Sequence, residues 1–396
     1  MIYLDNAAST QVHEKVVDEM LPYFKEQFGN PSSIHKYGRL ASMAVQNARK
    51  RIAVLINAEP KEILLTSGGT ESNNTALYGI VYKNKGKNVI TSSIEHDAIL
   101  EPCKRLERDG FQVTYLPVDK YGLVNPDDVK RAISSNTCLI SIMFANNEVG
   151  TIQSIKEICK IAHEKNIPLH TDAVQALGKI PIDVKELDVD LLSISSHKIN
   201  GPKGIGALYI KNGTKLDPLI LGGGQENGLR SGTENVPNIV GFGKACQLAK
   251  ENMEQNEKHF RKLSTKLISR VLQEISYVTF NGHPEKRIPN NTHFTFLGVN
   301  GEDLIIKLDE NGIAASTGSA CSVRIQKASH VLKAMGFSHE QIVGSLRFTI
   351  GISNTEKEID DAVEILKKVA NELRAVSPYK KKYNFENTTY REPMLR

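Results

Sequence analysis

The sequence predicts an α/β protein, with a large domain around a mainly parallel sheet and a smaller α+β domain after it. Three observations carry this. Short apolar runs alternate with helix-period segments through the first two-thirds of the chain, a long helical stretch follows, and strand-like runs mixed with helices come last. The 396 residues suit one large domain plus a smaller one.

In order, "KEILLTS", "NVITSS", "FQVTYLP", "TCLISIMFA", "IPLHTDA", "DLLSIS" and "GALYI" read as short, mostly apolar strands. Helical patterns lie between several of them. Val45, Ala48, Ile52 and Leu55 recur at helical spacing, as do Ile155, Ile158 and Ile161. The stretch from about Asn252 to Glu274 reads as a connecting helix. "VTFNG", "NTHFTFLG" and "SLRFTIG" then supply the strands of the smaller unit. Thr355 and Glu358 form a capping box ahead of a closing helix. The tail "SPYKKKYNFENTTYREPMLR" is polar and basic with poor periodicity, either disordered or an arm that docks elsewhere.

Composition narrows the function. With 40% hydrophobic and 24% charged residues, the chain reads as an ordinary soluble globular protein. The net charge of +5 is spread among interleaved signs, giving no nucleic-acid or membrane footprint. No apolar run approaches the ~20 residues of a membrane span. "MIYLDNAAST" lacks the pattern of a signal peptide. Cys103, Cys138, Cys159, Cys246 and Cys321 are scattered without a CxxC pair, which argues against disulfides or zinc and for a reducing cytoplasm.

Four segments carry chemistry. In "LLTSGGTESNNTAL" a strand ends at Thr66, and a helix begins near Thr70 or Glu71 after Gly68 and Gly69. This reads as a phosphate cradle or as a plain glycine turn. It is not a P-loop, since the Gly-Lys-Ser/Thr ending is missing. "HTDAVQALGK" sets Asp172 and Gln175 just beyond a strand, where ligands of open α/β sheets sit, although an Asp there also serves as a helix cap. The His170-x-Asp172 spacing has no third ligand nearby to make a metal site.

"SSHKINGPKGIG" places Lys198 after Ser195, Ser196 and His197, all able to bond phosphate. Lysine is the side chain that forms imines with carbonyl compounds. A phosphate-type turn, an Asp for a pyridinium nitrogen and a lysine for an imine are the three parts of a pyridoxal phosphate site. Together they are far more specific than any one alone. In "STGSACSVRIQKASH", Cys321 stands among small residues near Arg324, ahead of a helix starting near Ala328. That setting suits a reactive thiolate, whereas Cys138 and Cys159 lie inside apolar segments and read as inert.

With these residues in view, the sequence resembles the cysteine desulfurases of the NifS/IscS type. These are class V aminotransferases among the fold-type I pyridoxal phosphate enzymes. "YLDNAAST", "FGNPSS", "SGGTESNN", "EHDAI", "NNEVGT", "HTDAVQ", "SSHKINGPKGIG", "RSGTENV", "STGSACS" and "LRFTIG" stand in the family's order across nearly the whole chain. The resemblance implies that Lys198 carries the cofactor, Asp172 bonds its ring nitrogen and Gln175 its ring oxygen. Gly69, Thr70, Ser195 and His197 would lie at the phosphate, with Thr233 reaching in from a second subunit of a homodimer.

By the same resemblance His96 stacks on the ring and moves protons, Asn147 and Arg347 orient the substrate, and Arg347 forks onto its carboxylate. The expected reaction takes L-cysteine to L-alanine with a persulfide left on Cys321. An iron–sulfur scaffold or another sulfur acceptor would receive it. No stable metal is expected, although Cys321 could touch a nascent iron–sulfur cluster transiently. The implied domains are 12–255, then 1–11 with 256–378, and a tail at 379–396 unlike the family's usual scaffold-docking end. Three rivals remain: a selenocysteine lyase on this fold, an aminotransferase using the same lysine, and a non-enzymatic sulfur carrier.

Overall fold

A computed structural model of the chain describes residues 1–84, 87–318, 328–378, 382, 383 and 385. Its strands are β1 (Ile2–Tyr3), β2 (Ile63–Thr66), β3 (Asn88–Ser92), β4 (Gln112–Leu116), β5 (Thr137–Ser141) and β6 (Leu169–Asp172). They continue with β7 (Leu191–Ser195), β8 (Gly206–Ile210), β9 (Val278–Phe280), β10 (Asn291–Phe296), β11 (Ile313–Ala314) and β12 (Ser345–Thr349).

All seven apolar runs of the first two-thirds become strands of one sheet, in the order β2-β8-β7-β6-β5-β3-β4. β4, β3, β5, β6 and β7 run parallel, and β8 runs antiparallel to both of its neighbours, β7 and β2. Except at β4, an edge strand, these strands are almost wholly buried. That explains their continuous apolar character, because helices cover both faces of a parallel sheet. On one face the helices Lys36–Leu55 and Val236–Glu251 lie against each other, closely enough that a Cβ on Gly243 would fall 2.6 Å from Ala48 Cα.

The order of the strands sets where the site forms. β8 brings Gly206 opposite both Thr66 of β2 and Ser195 of β7, so the ends of β2 and β7 converge there. A side chain at Gly206 would run into Ile194 O at 2.6 Å and Gly68 Cα at 2.7 Å, so this close approach requires glycine.

A second core gathers Leu4, Phe260, Leu267, Phe294, Phe296, Phe348, Ile359 and Leu366. It lies between the antiparallel sheet β12-β10-β9 and the helices Met253–Glu274 and Glu356–Ala375. Phe294 packs on Phe280 and Phe348 with ring centroids 5.5 Å and 6.3 Å apart. The closing helix carries the capping box read from the sequence, with Thr355 accepting from Glu358 N at 3.2 Å. β1 pairs with β11, and Asp5 bridges to Thr349, so the start of the described chain joins this second core. No helix among the described residues is long and apolar enough to cross a membrane.

Candidate active site

Asp172 ends β6, buried, and its carboxylate accepts from Asn73 Nδ2 at 2.6 Å and from the Val174 amide at 2.9 Å. Asn73 stands one turn into the helix Gly69–Lys83, which begins directly after β2. The helix start therefore faces Asp172, and a Cβ on Gly69 would lie 3.8 Å from that of Ser195. The first amides of this helix, at Gly69, Thr70 and Glu71, have no carbonyl to bond within the helix. Burial pushes the His197 imidazole down to about 4, with the Lys198 charge adding to the effect, so the ring is neutral near pH 7. Its Nδ1 lies 3.3 Å from Ser9 Oγ.

Lys198 closes the short turn after β7. Its Nζ donates to the carbonyl oxygens of Ala7 at 2.6 Å and Ala8 at 2.8 Å, and Gln175 Nε2 donates to Ala7 O at 3.1 Å. Two side chains that follow different strands, β6 and β7, thus meet on one carbonyl of the N-terminal segment. Behind them, buried Lys179 donates to the carbonyl of Lys198 at 2.5 Å, and burial pushes its amine down to about 7.

The same N-terminal segment reaches the other half of the cleft. Arg347, on β12, is buried and donates from Nη2 to Asp5 Oδ1 at 2.9 Å and from Nη1 to Asn147 O at 2.8 Å. Its Nε and the Asn147 Oδ1 are both buried without a hydrogen-bond partner among the described residues. Orphaned polar atoms of this kind mark a place that a polar ligand would complete. His96 caps the helix Asp97–Arg108, its Nδ1 accepting from Ala98 N at 3.0 Å. With Nδ1 accepting, the neutral ring carries its proton on Nε2.

The N-terminal segment therefore joins Asp172, Gln175, Lys198 and their neighbours to Asn147 and Arg347. Thr233 lies apart on an exposed stretch, where Arg230 ties the chain to Glu71 at 2.8 Å. Cys321 and Arg324 lie outside the described residues. Cys103, Cys138, Cys159 and Cys246 are all buried, and burial raises each thiol, to about 11 for Cys138 and about 12 for Cys159. His170 is clasped between Ser141 Oγ at 2.8 Å and Ser193 Oγ at 2.9 Å, and burial takes it down to about 3.

A family model for class-V aminotransferases matches residues 2–362. The chain belongs to that family. Within it, the chain stands among the cysteine desulfurases. It is 53% identical to the cysteine desulfurase IscS of Methanosarcina thermophila over 379 residues, covering 95% of this chain and 94% of that one. Against IscS 1 of Archaeoglobus fulgidus the identity is 48% over 381 residues, covering 96% and 99%. A solved NifS-like protein superposes with a TM-score of 0.89 at 38% identity, covering 94% of this chain and all of the other. SspA, solved in complex with cysteine, gives a TM-score of 0.79 at 39% identity, covering 88% and 99%.

Several residues of this desulfurase cleft escaped the sequence reading. Asn73 stood inside the quoted "SGGTESNN", one turn past the helix start, where a side chain toward the next strands could have been expected. Asp5, Ala7 and Ala8 stood inside the quoted "YLDNAAST", but no role was read for them, because their partners are remote in sequence. Glu95 and Glu148 sit in the quoted "EHDAI" and "NNEVGT" motifs, yet both prove fully buried. Burial pushes the Glu95 carboxyl up to about 8, so it is a neutral acid near pH 7.

Proposed function

We infer that this chain is a pyridoxal phosphate-dependent cysteine desulfurase that converts L-cysteine to L-alanine and takes the sulfur onto Cys321. The observation that carries this is the convergence of Lys198, Asp172 and Gln175 at one end of the sheet, joined to Arg347 and Asn147 through residues 5–8. The donor set suits the cofactor: an amine for the carbonyl carbon, a carboxylate for a ring nitrogen and a helix start beside Ser195 and His197 for phosphate. Lys198, Asp172, Gln175, Gly69, Thr70, Ser195 and His197 would hold it, with His96 and Asn147 alongside and Thr233 supplied by a partner subunit. Bound there, pyridoxal phosphate supplies an electron sink for negative charge at the substrate's α carbon.

The protein's own groups do the rest. Arg347 is the only guanidinium described here that joins the Asn147 carbonyl, and its unused Nε adds a further donor for a substrate carboxylate. Lys198 Nζ moves the proton at the α carbon, and His96, its proton on Nε2, exchanges a proton with the reacting amino acid. Cys321 takes the sulfur: an S–S bond forms as the substrate's carbon–sulfur bond breaks. L-cysteine plus the enzyme thiol thereby give L-alanine plus the enzyme persulfide.

The two cores support a division into a large unit at 12–255 and a small unit at 1–11 with 256–378. A homodimer with shared sites fits the exposure of Leu219, Ile220 and Leu221 ahead of Thr233. The persulfide acceptor is read as an iron–sulfur scaffold or another cytoplasmic sulfur-accepting protein.

The test compares alanine formed from L-cysteine by the wild type and by Cys321→Ala at equal cofactor occupancy. Alanine from the wild type alone is expected. Alanine from both would remove Cys321 as the sulfur acceptor and favour a lyase that releases its chalcogen without a protein nucleophile.

A further inference from the structure

Gly318 and Ser329 flank the segment that holds Cys321, and both lie beside one carboxyl group, Ser329 bonded to it and Gly318 passing close by. Ser329 Oγ donates to Glu148 Oε2 at 2.5 Å while accepting from the Leu332 amide at 3.1 Å, so it caps the helix His330–Ala334. Gly318, in the left-handed region with φ +91°, lies so near that an added Cβ would be 3.3 Å from the same Oε2. Its amide is held by Ser316 Oγ at 3.1 Å, and its carbonyl faces Arg347 Nη1 at 3.5 Å. Next along the helix, His330 Nε2 meets the carbonyl of Glu95 at 2.9 Å, directly beside His96.

Glu148 also has its own tie to the substrate side of the cleft. It follows Asn147, whose carbonyl accepts from Arg347 and whose Oδ1 is the unpartnered acceptor described above. The Asn147 carboxamide and the Glu148 carboxyl therefore leave adjacent α carbons, one toward the place for a ligand and one toward the ends of the Cys321 segment. Burial raises the Glu148 carboxyl above its ordinary value.

We propose that Glu148 is a positioning residue, which ties the Ser329 end of the Cys321-bearing segment to the Asn147–Arg347 side of the cleft, with Gly318 packed close to the same carboxyl, and so sets how well Cys321 meets the substrate sulfur. The proposal rests on the desulfurase reading. Its chemistry is mechanical: Glu148 touches no reacting atom, and no bond to it forms or breaks.

In the holoenzyme, Glu148→Ala is expected to lower kcat for alanine by about ten- to a hundredfold, the scale of a small misplacement of a reacting group. KM for L-cysteine should stay within about twofold of the wild type, because Arg347 and Asn147 are untouched. On mixing with L-cysteine, the cofactor absorbance should change with full amplitude, while persulfide appears on Cys321 slowly. Glu148→Gln, which keeps an acceptor for Ser329, should restore kcat to within about threefold of the wild type. Ser329→Ala, which leaves Glu148 in place, should repeat the split if Glu148→Ala does not fold.

An unchanged kcat in Glu148→Ala, a rise in KM with kcat intact, or a Gln variant as slow as the Ala variant would overturn the proposal. Hydrogen exchange separates this from a failure of the desulfurase reading. Loss of the anchor should speed exchange at the Leu332 amide in Glu148→Ala whatever the substrate. A wild type that makes neither alanine nor persulfide would defeat the reading alone.

Discussion

Asn73 and Asp172 meet across 2.6 Å, amide to carboxylate, in the buried floor of the cleft. The bond fixes one Asp172 oxygen. Asn73→Ala would take away one of its two described donors. We expect a loss of about 1–3 kcal/mol in fold stability, together with weaker retention of cofactor. Urea midpoints and visible absorbance after gel filtration measure the two effects, and an unchanged midpoint would mean that the bond contributes nothing.

Arg347→Lys keeps a cation but loses the planar fork that reaches Asp5 and the Asn147 carbonyl together. KM for L-cysteine should rise about tenfold or more, since an ammonium cannot reproduce a two-pronged grip on a carboxylate. Steady-state kinetics decide it. A KM close to the wild-type value would place the substrate carboxylate elsewhere.

The proposed sharing of sites between two subunits is open to a complementation experiment. Lys198→Ala and Thr233→Ala are each expected to be inactive as homodimers. After the two are unfolded together and refolded, half of the dimers should be mixed, each with one intact site. About a quarter of the wild-type activity should then return. Return of none would show that Thr233 serves its own subunit or no site at all.

Acid should unfold this protein through its buried histidines. His170 and His293 are pushed down to about 3, and His197 to about 4, all chiefly by burial. An unfolded histidine titrates near 6.5. Between those values the unfolded chain binds protons that the fold refuses. Stability held above pH 6.5 is therefore lost progressively as the pH falls toward 4. Melting temperatures at pH 7.5 and pH 5 should differ less in His170→Asn than in the wild type. An equal difference would remove His170 from the account.

Legibility followed the range of the interactions. The seven strands of the large sheet were readable because strands buried on both faces need continuous apolar runs, and each run is local. Lys198, Asp172 and Gln175 were readable because a strand end is a recognisable place for chemistry. β1 and β11 were not, being two residues each, paired across 311 positions and packed into a core whose other members are remote. The direction of β8 left no trace in "GALYI", since an apolar strand looks alike either way round. Glu148 read as part of a motif, but its burial arises from Gly318 and Ser329, about 170 and 180 positions away, which no local pattern encodes.

The carbonyls of Ala7 and Ala8 that hold Lys198, and the Asp5 carboxylate that pairs with Arg347, bear on how the protein is made. Residues 5–8 leave the ribosome ahead of Lys198 and long ahead of Arg347, which follows Asp5 by 342 positions. Asp5 must therefore stay without its Arg347 partner until that arginine has emerged. The lysine end of the cleft can assemble on the ribosome once residue 198 is out, whereas the arginine end cannot. Deletion of residues 5–8 should cost both ends of the cleft at once.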